Sequence, residues 1–224
     1  MKLFATVGVV CLLGCAPALP SLSGGRTTPE DRVDLALGGA ARIPLGELVP
    51  NDEPTSLTEE ASGGGVVPVA LFSWGMFDGV DARALVAGTT LSLQGRLQAF
   101  AFGRDPTWSL IPSIGIHFGY LGERRTVPEF REGAEASLLL GMNAAGLLEL
   151  WFGPRIGAEM FGRPGNFTRE NVLRAGLLLG IGAGFRDLHA LIELTGTFES
   201  WLTDGDANPS GLSLTPAFAI RLRL

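Results

Sequence analysis

The sequence predicts an all-β protein, a closed antiparallel up-and-down transmembrane β-barrel of about ten strands, with eight also compatible. The first observation is alternation with the two-residue period of a strand, as where the apolar residues from Phe218 to Leu224 alternate with Arg221 and Arg223. The second is a hydrophobic content of 46% without a second apolar run long enough for a membrane helix. The third is the 32 glycines, which disfavour a helical bundle.

Ten segments show this alternation and are bounded by turn residues. The predicted strands are 32–42, 66–75, 80–88, 91–102, 108–120, 134–142, 147–160, 172–185, 188–201 and 211–224. Pro112 and Pro154 fall inside two of them, where each removes a hydrogen bond from the ladder, and we expect β-bulges to absorb them.

The predicted connections alternate in length, except at 89–90, which is short where a long loop is due. Short turns on the periplasmic side and long loops outside are typical of outer-membrane barrels. An even number of strands then brings both termini to the periplasmic side. We expect the outer loops 45–65 and 121–133 to be the contact surfaces. The other long loops are 161–171 and 202–210, and the short turns are 77–79, 103–107, 143–146 and 186–187.

The stretch from Trp74 to Asp81 reads Trp-Gly-Met-Phe-Asp-Gly-Val-Asp. It resembles a hairpin of small bacterial outer-membrane β-barrel proteins, in which an aromatic residue and Gly end one strand and a polar turn with Asp begins the next. The resemblance extends over residues 32–224. It implies a membrane-embedded barrel in the bacterial outer membrane, with outer-membrane lipid and the barrel-insertion machinery, acting through the C-terminal strand, as partners. It implies no activity.

The first 14 residues resemble a secretory signal peptide, with Lys2 before an apolar run too short to span a bilayer. The sequence Leu12-Leu13-Gly14-Cys15 resembles the bacterial lipobox, which implies cleavage before Cys15 and lipidation of that residue. The rival interpretation is ordinary cleavage after Ala18. Residues 15–31 are predicted as the lipidated Cys and a flexible tether, because 16–30 are rich in Pro, Gly, Ser and Thr. Residues 32–224 form the barrel domain.

If the apolar face of each strand contacts lipid, seven basic and seven acidic residues face the lumen. A barrel of about ten strands is narrow, and buried charges must pair. We therefore predict a largely filled lumen closed by ion pairs, with a narrow solute channel as the alternative. Trp151 is expected inside the lumen, and Trp74, Trp108 and Trp201 in aromatic girdles. The predicted luminal charges are Asp34, Arg42, Asp81, Arg83, Arg96, Glu135, Glu149, Arg155, Glu159, Arg174, Glu193, Glu199, Arg221 and Arg223.

Residues suited to chemistry are few. His117, Glu135 and Ser137 lie on neighbouring predicted strands, so a His–acid–Ser cluster at the outer rim is conceivable. Lipid A deacylase barrels carry His and Ser two residues apart on one strand, whereas here Gly119 stands in the place of that Ser. The favoured interpretation is that His117 joins the luminal network and that the protein is not an enzyme. Two distant histidines predict no metal site, and no cofactor is expected.

These observations favour an outer-membrane β-barrel lipoprotein with a structural or surface-interaction role. The net charge of −6 argues against a nucleic-acid partner. Three alternatives remain, namely a narrow solute channel, a soluble lipocalin-like barrel with an apolar lumen, and an outer-rim barrel enzyme. The sequence identifies no small-molecule ligand.

Overall fold

The computed structural model describes residues 19–48, 64–121, 129–162, 169–185, 187–202 and 208–224. Neighbouring strands in the sheet pair antiparallel, and Val33–Leu45 pairs with Ser210–Arg223, so the sheet closes into a barrel. Thr90–Leu97 and Phe100–Phe102 both pair with Thr107–Leu121 and together fill one place in the wall, which makes the barrel ten-stranded. The predicted fold class is confirmed. No helix in these residues is long and apolar enough to cross a bilayer. The strands are β1 (Val33–Leu45), β2 (Gly65–Phe77), β3 (Val80–Ala87), β4 (Thr90–Leu97), β5 (Phe100–Phe102), β6 (Thr107–Leu121), β7 (Glu129–Ala144), β8 (Leu148–Gly162), β9 (Arg169–Phe185), β10 (Leu188–Leu202) and β11 (Ser210–Arg223).

The two ends of the barrel differ. At one end lie the tight connections after β2, β7 and β9 together with the C-terminal Leu224, whose carbonyl accepts a hydrogen bond from Val33 N at 3.2 Å. We call this end the short-turn rim. The connections after β1, β6, β8 and β10 lie at the opposite end, the long-loop rim, together with the tight turn between β3 and β4. A 3₁₀ turn, Gly46–Leu48, begins the connection after β1.

A β-bulge accommodates Pro112. Arg96 of β4 faces Ser113 of β6, whereas Phe100 of β5 faces Leu110, so one extra residue lies on the β4–β5 side. The predicted strand 91–102 is therefore divided in two. The missing N–H of Pro112 lies where the ladder is already interrupted, which is the site at which a sheet tolerates proline.

Pro154 interrupts the ladder without changing its register. Ser137 faces Arg155 and Leu140 faces Phe152 on either side of it, so the expected bulge does not occur. The predicted start of the sixth strand is also too late, because β7 begins at Glu129.

Alternation decides which side chains face outward. On the outer surface Leu37, Ile114 and Leu177 are 71%, 70% and 69% exposed, whereas Arg221 and Arg223 are 3% and 6% exposed. A lipocalin-like barrel would have the opposite arrangement, so that alternative is wrong.

The tryptophans occupy both faces. Trp74 is exposed and Trp151 is fully buried, as predicted. The girdle position predicted for Trp201 is wrong. It has the same parity as Glu199 and is therefore buried inside, where its ring stacks on Phe161 with centroids 5.2 Å apart.

Residues 19–28, which precede β1, lie inside the barrel. Residues 19–25, 27 and 28 are buried, and the segment leaves the barrel at the short-turn rim, where Asp31 N donates to Gly75 O at 3.0 Å. A flexible tether would be solvated, so the tether interpretation is corrected for residues 19–28. We call residues 19–28 the plug. The predicted signal peptide and Cys15 lie outside the described residues.

Candidate functional site: the filled lumen

Arginines of the barrel wall donate to carbonyl oxygens of the plug. Arg83 Nη2 donates to Leu22 O at 2.8 Å. Arg96 Nη1 donates to the carbonyl oxygen of Ser23. Arg155 Nη1 donates to the carbonyl oxygen of Leu19. Charged donors make stronger hydrogen bonds than neutral ones, so the wall binds the plug through its main chain.

Carboxylates of the wall accept from the plug's N–H groups. Glu193 Oε1 accepts from Ser21 N at 2.6 Å. Glu149 Oε2 accepts from Gly25 N at 3.1 Å. Asp81 Oδ2 accepts from Thr28 N at 2.7 Å. The plug's main chain is therefore held by wall donors on its carbonyls and wall acceptors on its amides.

Two consecutive glycines bring the plug against the wall. A Cβ at Gly25 would lie 2.1 Å from Met142 O of β7, and a Cβ at Gly141 would lie 2.2 Å from Gly25 O. Gly24 has φ +71°, a conformation that L side chains rarely adopt. Only a Gly-Gly pair fits this passage without moving the wall.

Apolar side chains also hold the plug. Leu19 and Leu22 are 3% and 1% exposed, and they belong to a buried cluster with Val69, Leu71 and Leu85. Burial of a leucine is worth about 1.5–3 kcal/mol. The inner faces of β2 and β3 thus carry apolar as well as charged residues, although apart from Trp151 the sequence predicts apolar residues on the lipid side.

Ion pairs near the short-turn rim surround the plug's exit. Arg223 Nε lies 2.7 Å from Asp34 Oδ1, and Arg221 Nη2 lies 2.7 Å from Glu149 Oε1. Arg221 also lies 4.0 Å from Asp34, which links the two pairs. Asp81 accepts from Arg96 Nε at 2.9 Å.

A second cluster fills the half of the lumen toward the long-loop rim. Glu199 accepts from Arg42 at 2.7 Å and lies 3.4 Å from Arg174. Glu159 lies 2.6 Å from Arg131 and also contacts Arg174. Removing any one member would leave a charge in a region from which water is largely excluded.

All fourteen residues predicted as luminal lie on the inner side of the wall, and most are buried. Twelve of them form ion pairs with one another in these two clusters or in the pair Glu135–Arg155. The other two bind polar groups instead. Arg83 donates to Gln94 as well as to the plug, and Glu193 accepts from Trp151 Nε1 at 3.0 Å.

The structure does not assemble His117, Glu135 and Ser137 into a catalytic cluster. His117 Nε2 lies 2.8 Å from Glu159 Oε1, not beside Glu135, which holds Arg155. Ser137 Oγ is 2.6 Å from Ser113 Oγ. The serine is thus bonded to another hydroxyl, and the acid beside the histidine is already bound by arginines. In the described residues no group of three or more His, Cys, Asp and Glu side chains could hold a metal ion.

Two luminal arginines escaped the sequence analysis. The sequence places Arg131 in a loop, because it predicts a start of β7 that is too late, and it places Arg26 in the tether. The signal for Arg131 was present, since it shares the parity of Glu135. No comparable signal marks Arg26, because the plug makes no regular alternation.

Small cavities remain around the plug. One of about 30 Å³ lies beside Leu19 and is lined by His117 and Arg174 among others, room for about two water molecules. A larger one of about 220 Å³ lies at the short-turn rim, lined by residues including Arg26 and Asn143.

Neither a protein-family model nor a curated protein sequence matches this chain. Two solved structures are similar in outline. Neisserial surface protein A (NspA) has a TM-score of 0.42 and 10% identity, over 86% of this chain and 95% of that one. Ail, the attachment invasion locus protein of Yersinia pestis, has a TM-score of 0.35 and 13% identity, over 87% of this chain and 99% of that one. The fold assignment rests on the closed sheet itself.

Proposed function

We propose that this chain is an integral barrel of the bacterial outer membrane with an occluded lumen and a structural or surface-interaction role. The observation that carries the proposal is the contents of the lumen. Its cross-section holds paired charges, Trp151 and the plug, where a solute channel would hold water. The contacts of Arg83, Arg96 and Arg155 with the plug cross the lumen from different strands.

The outer surface supports the membrane location. Aliphatic residues are exposed along the strands, and exposed aromatic residues lie near the short-turn rim, among them Trp74, Phe102 and Phe185. Tyr120 is exposed near the long-loop rim. Outer-membrane barrels have an apolar band about 25 Å tall between two aromatic girdles. The longest strands have 15 to 17 residues, which at about 3.3 Å per residue is enough to cross that band while tilted.

Conductance and gel migration of the purified protein test the proposal. We expect heat-modifiable migration, extraction only with detergent, and no step conductance in planar bilayers. Stable ohmic steps from the full-length protein would support the narrow channel instead. Solubility without detergent would contradict the membrane location.

The surface role is assigned to the long-loop rim. The connections 45–65 and 121–133 remain our proposed contact surfaces, and residues 49–63 and 122–128 within them lie outside the described residues. This requires the short-turn rim and both barrel termini to face the periplasm. Protease treatment of intact cells should cut within these connections, whereas cleavage only after outer-membrane permeabilisation would reverse the orientation.

The position of Leu19 favours cleavage after Ala18 over lipidation of Cys15. Leu19 O accepts from Arg155, which lies seven positions after Leu148, where β8 begins at the short-turn rim. That separation is about 23 Å along the strand and about 18 Å in height at a tilt of about 40°. Residues 15–18 reach at most about 14 Å. Leu19 also lines a cavity with Glu159 and Arg174, which lie farther still from the short-turn rim, so we infer that a lipid on Cys15 would not reach the periplasmic leaflet while the plug is bound.

The mass of the mature protein distinguishes cleavage after Ala18 from cleavage before Cys15 with lipidation. We expect a chain beginning at Leu19, and we expect the Cys15→Ser variant to be processed identically. A diacylated chain beginning at Cys15 would contradict this inference and would restore the lipoprotein interpretation.

A further inference from the structure

The lumen binds the plug as a receptor binds an extended peptide. Wall carboxylates accept from the amides of Ser21, Gly25 and Thr28, and wall arginines donate to carbonyls between and beyond these residues. Because these contacts are to main-chain atoms, they do not depend on a covalent link between the plug and β1. Any peptide that can take the same path could make them.

We propose that the lumen is a peptide-binding site that the chain's own residues 19–28 occupy, and that the emptied barrel binds a free peptide of the same kind. This inference rests on the proposed occluded barrel and names the ligand of its lumen. The ligand class is an extended peptide with a Gly-Gly pair, leucines on its N-terminal side and a cationic residue after the glycines.

The specificity for peptides with a Gly-Gly pair comes from the close approach of the plug to the backbone of β7 and β8. A side chain at the position of Gly25 would collide with Met142 O and approach Leu150 O to 3.0 Å. Both obstacles are backbone atoms of paired strands, which cannot move aside as a flexible side chain can. At the position of Gly24 a Cβ would lie 2.7 Å from Arg221 Nη1. The glycines are therefore the residues that decide which peptides fit.

The leucines supply the second element of recognition. Leu22 belongs to a buried apolar cluster that includes Val69 and Leu71 of β2 and Leu85 of β3, a surface that a solvated lumen would leave in contact with water. The β2–β3 side of the lumen thus matches an apolar side chain three residues before Gly25. A polar residue at the position of Leu22 should weaken binding without blocking the path.

The test uses the barrel lacking residues 19–30 and a labelled synthetic peptide with the sequence of residues 19–30. Fluorescence anisotropy in detergent micelles should show saturable binding. We expect the peptide with Gly25→Leu to bind at least tenfold more weakly, and a peptide of scrambled sequence to bind no better than that variant. Equal binding of all three peptides, or binding of none by a folded barrel, would overturn the proposal. Heat-modifiable migration of the same sample reports folding separately, so failure of the barrel to insert is distinguished from failure to bind.

A full-length variant covers the case in which the shortened barrel does not fold. Ser21→Cys should resist a water-soluble maleimide, because Ser21 is buried. Adding Gly25→Leu should displace the plug and raise the labelling rate at least tenfold. The matched change Gly95→Leu, on the outer face of β4 where an added Cβ meets no atom within 4 Å, should leave that rate unchanged. Labelling that is equally fast with and without Gly25→Leu would contradict the inference that a side chain at position 25 cannot fit between the plug and the wall.

Discussion

Glu149 is the residue whose loss should most disturb the lumen. Its side chain has no exposed surface, and it accepts two hydrogen bonds from Arg221 at 2.7 and 3.2 Å. It also accepts from Gly25 N of the plug at 3.1 Å. The change Glu149→Ala removes all three and leaves the Arg221 guanidinium, whose side chain is 4% exposed, with Asp34 4.0 Å away.

The expected loss is large because a buried charge keeps its desolvation cost when its partner is removed. Breaking a buried ion pair from one side costs about 3–5 kcal/mol, and the lost amide contact adds about 1 kcal/mol. Domains are commonly stable by about 5–15 kcal/mol, so Glu149→Ala should lower the free energy of unfolding by a substantial fraction. The double variant Glu149→Leu with Arg221→Met removes both charges, and it should recover most of that loss.

Urea unfolding of the barrel in lipid vesicles, followed by tryptophan fluorescence, measures these differences. The comparison requires reversible unfolding from the same vesicles for all variants. The reasoning is refuted if Glu149→Ala costs less than about 1 kcal/mol, because the pair would then be hydrated. It is also refuted if the double variant loses as much as the single one, since the cost would then come from packing.

Three further changes test the two faces of the wall, each measured by the same unfolding assay. Leu177→Arg places a charge at the centre of β9 on the outer face and should lower the free energy of unfolding by about 2–4 kcal/mol. Leu177→Met is the neutral control, and a loss near zero for Leu177→Arg would show that this face is in water. Gly180→Leu should prevent folding or displace Trp151, because a Cβ there would lie 2.1 Å from the indole, and unchanged stability would contradict its placement. Trp201→Ala should cost about 3–5 kcal/mol by opening a cavity beside Phe161, whereas a loss below about 1 kcal/mol would place Trp201 outside the core.

Alternation predicted the faces of the strands better than it predicted their ends. In a strand the side-chain period is two, so one correctly placed residue such as Arg221 fixes the face of its neighbours. Strand ends carry no comparable signal. The polar residues before Ala134 are typical of a loop, so the sequence predicts a loop at Arg131, although the ladder continues to Glu129. Trp201 lies near a strand end, where girdle residues are common, but its parity with Glu199 decides that it faces inward.

The plug could not be predicted from its own sequence. Segments rich in Gly, Ser, Thr and Pro are typical of flexible linkers, and contacts through the main chain leave no pattern of side chains. An indirect signal was present in the wall. Residues Val67, Val69 and Leu71 of β2 are buried and alternate with outward-facing apolar residues, so this strand is apolar on both faces. An apolar luminal face in a narrow barrel requires an apolar partner, which Leu19 and Leu22 provide.

The hydrogen-bond donors of the luminal arginines link the charged residues of the wall to the plug. An arginine carries five N–H donors, more than one carboxylate can accept in good geometry. In the lumen the surplus is directed at carbonyls of the plug, as where Arg96 binds Asp81 on one side and Ser23 O on the other. Arg155 likewise joins Glu135 to Leu19 O. Without the plug, these arginine donors would need water as a partner. The carbonyls and amides of a displaced plug would likewise need new hydrogen-bond partners. The wall and the plug therefore share hydrogen bonds as a two-part structure, in which each supplies partners to the other.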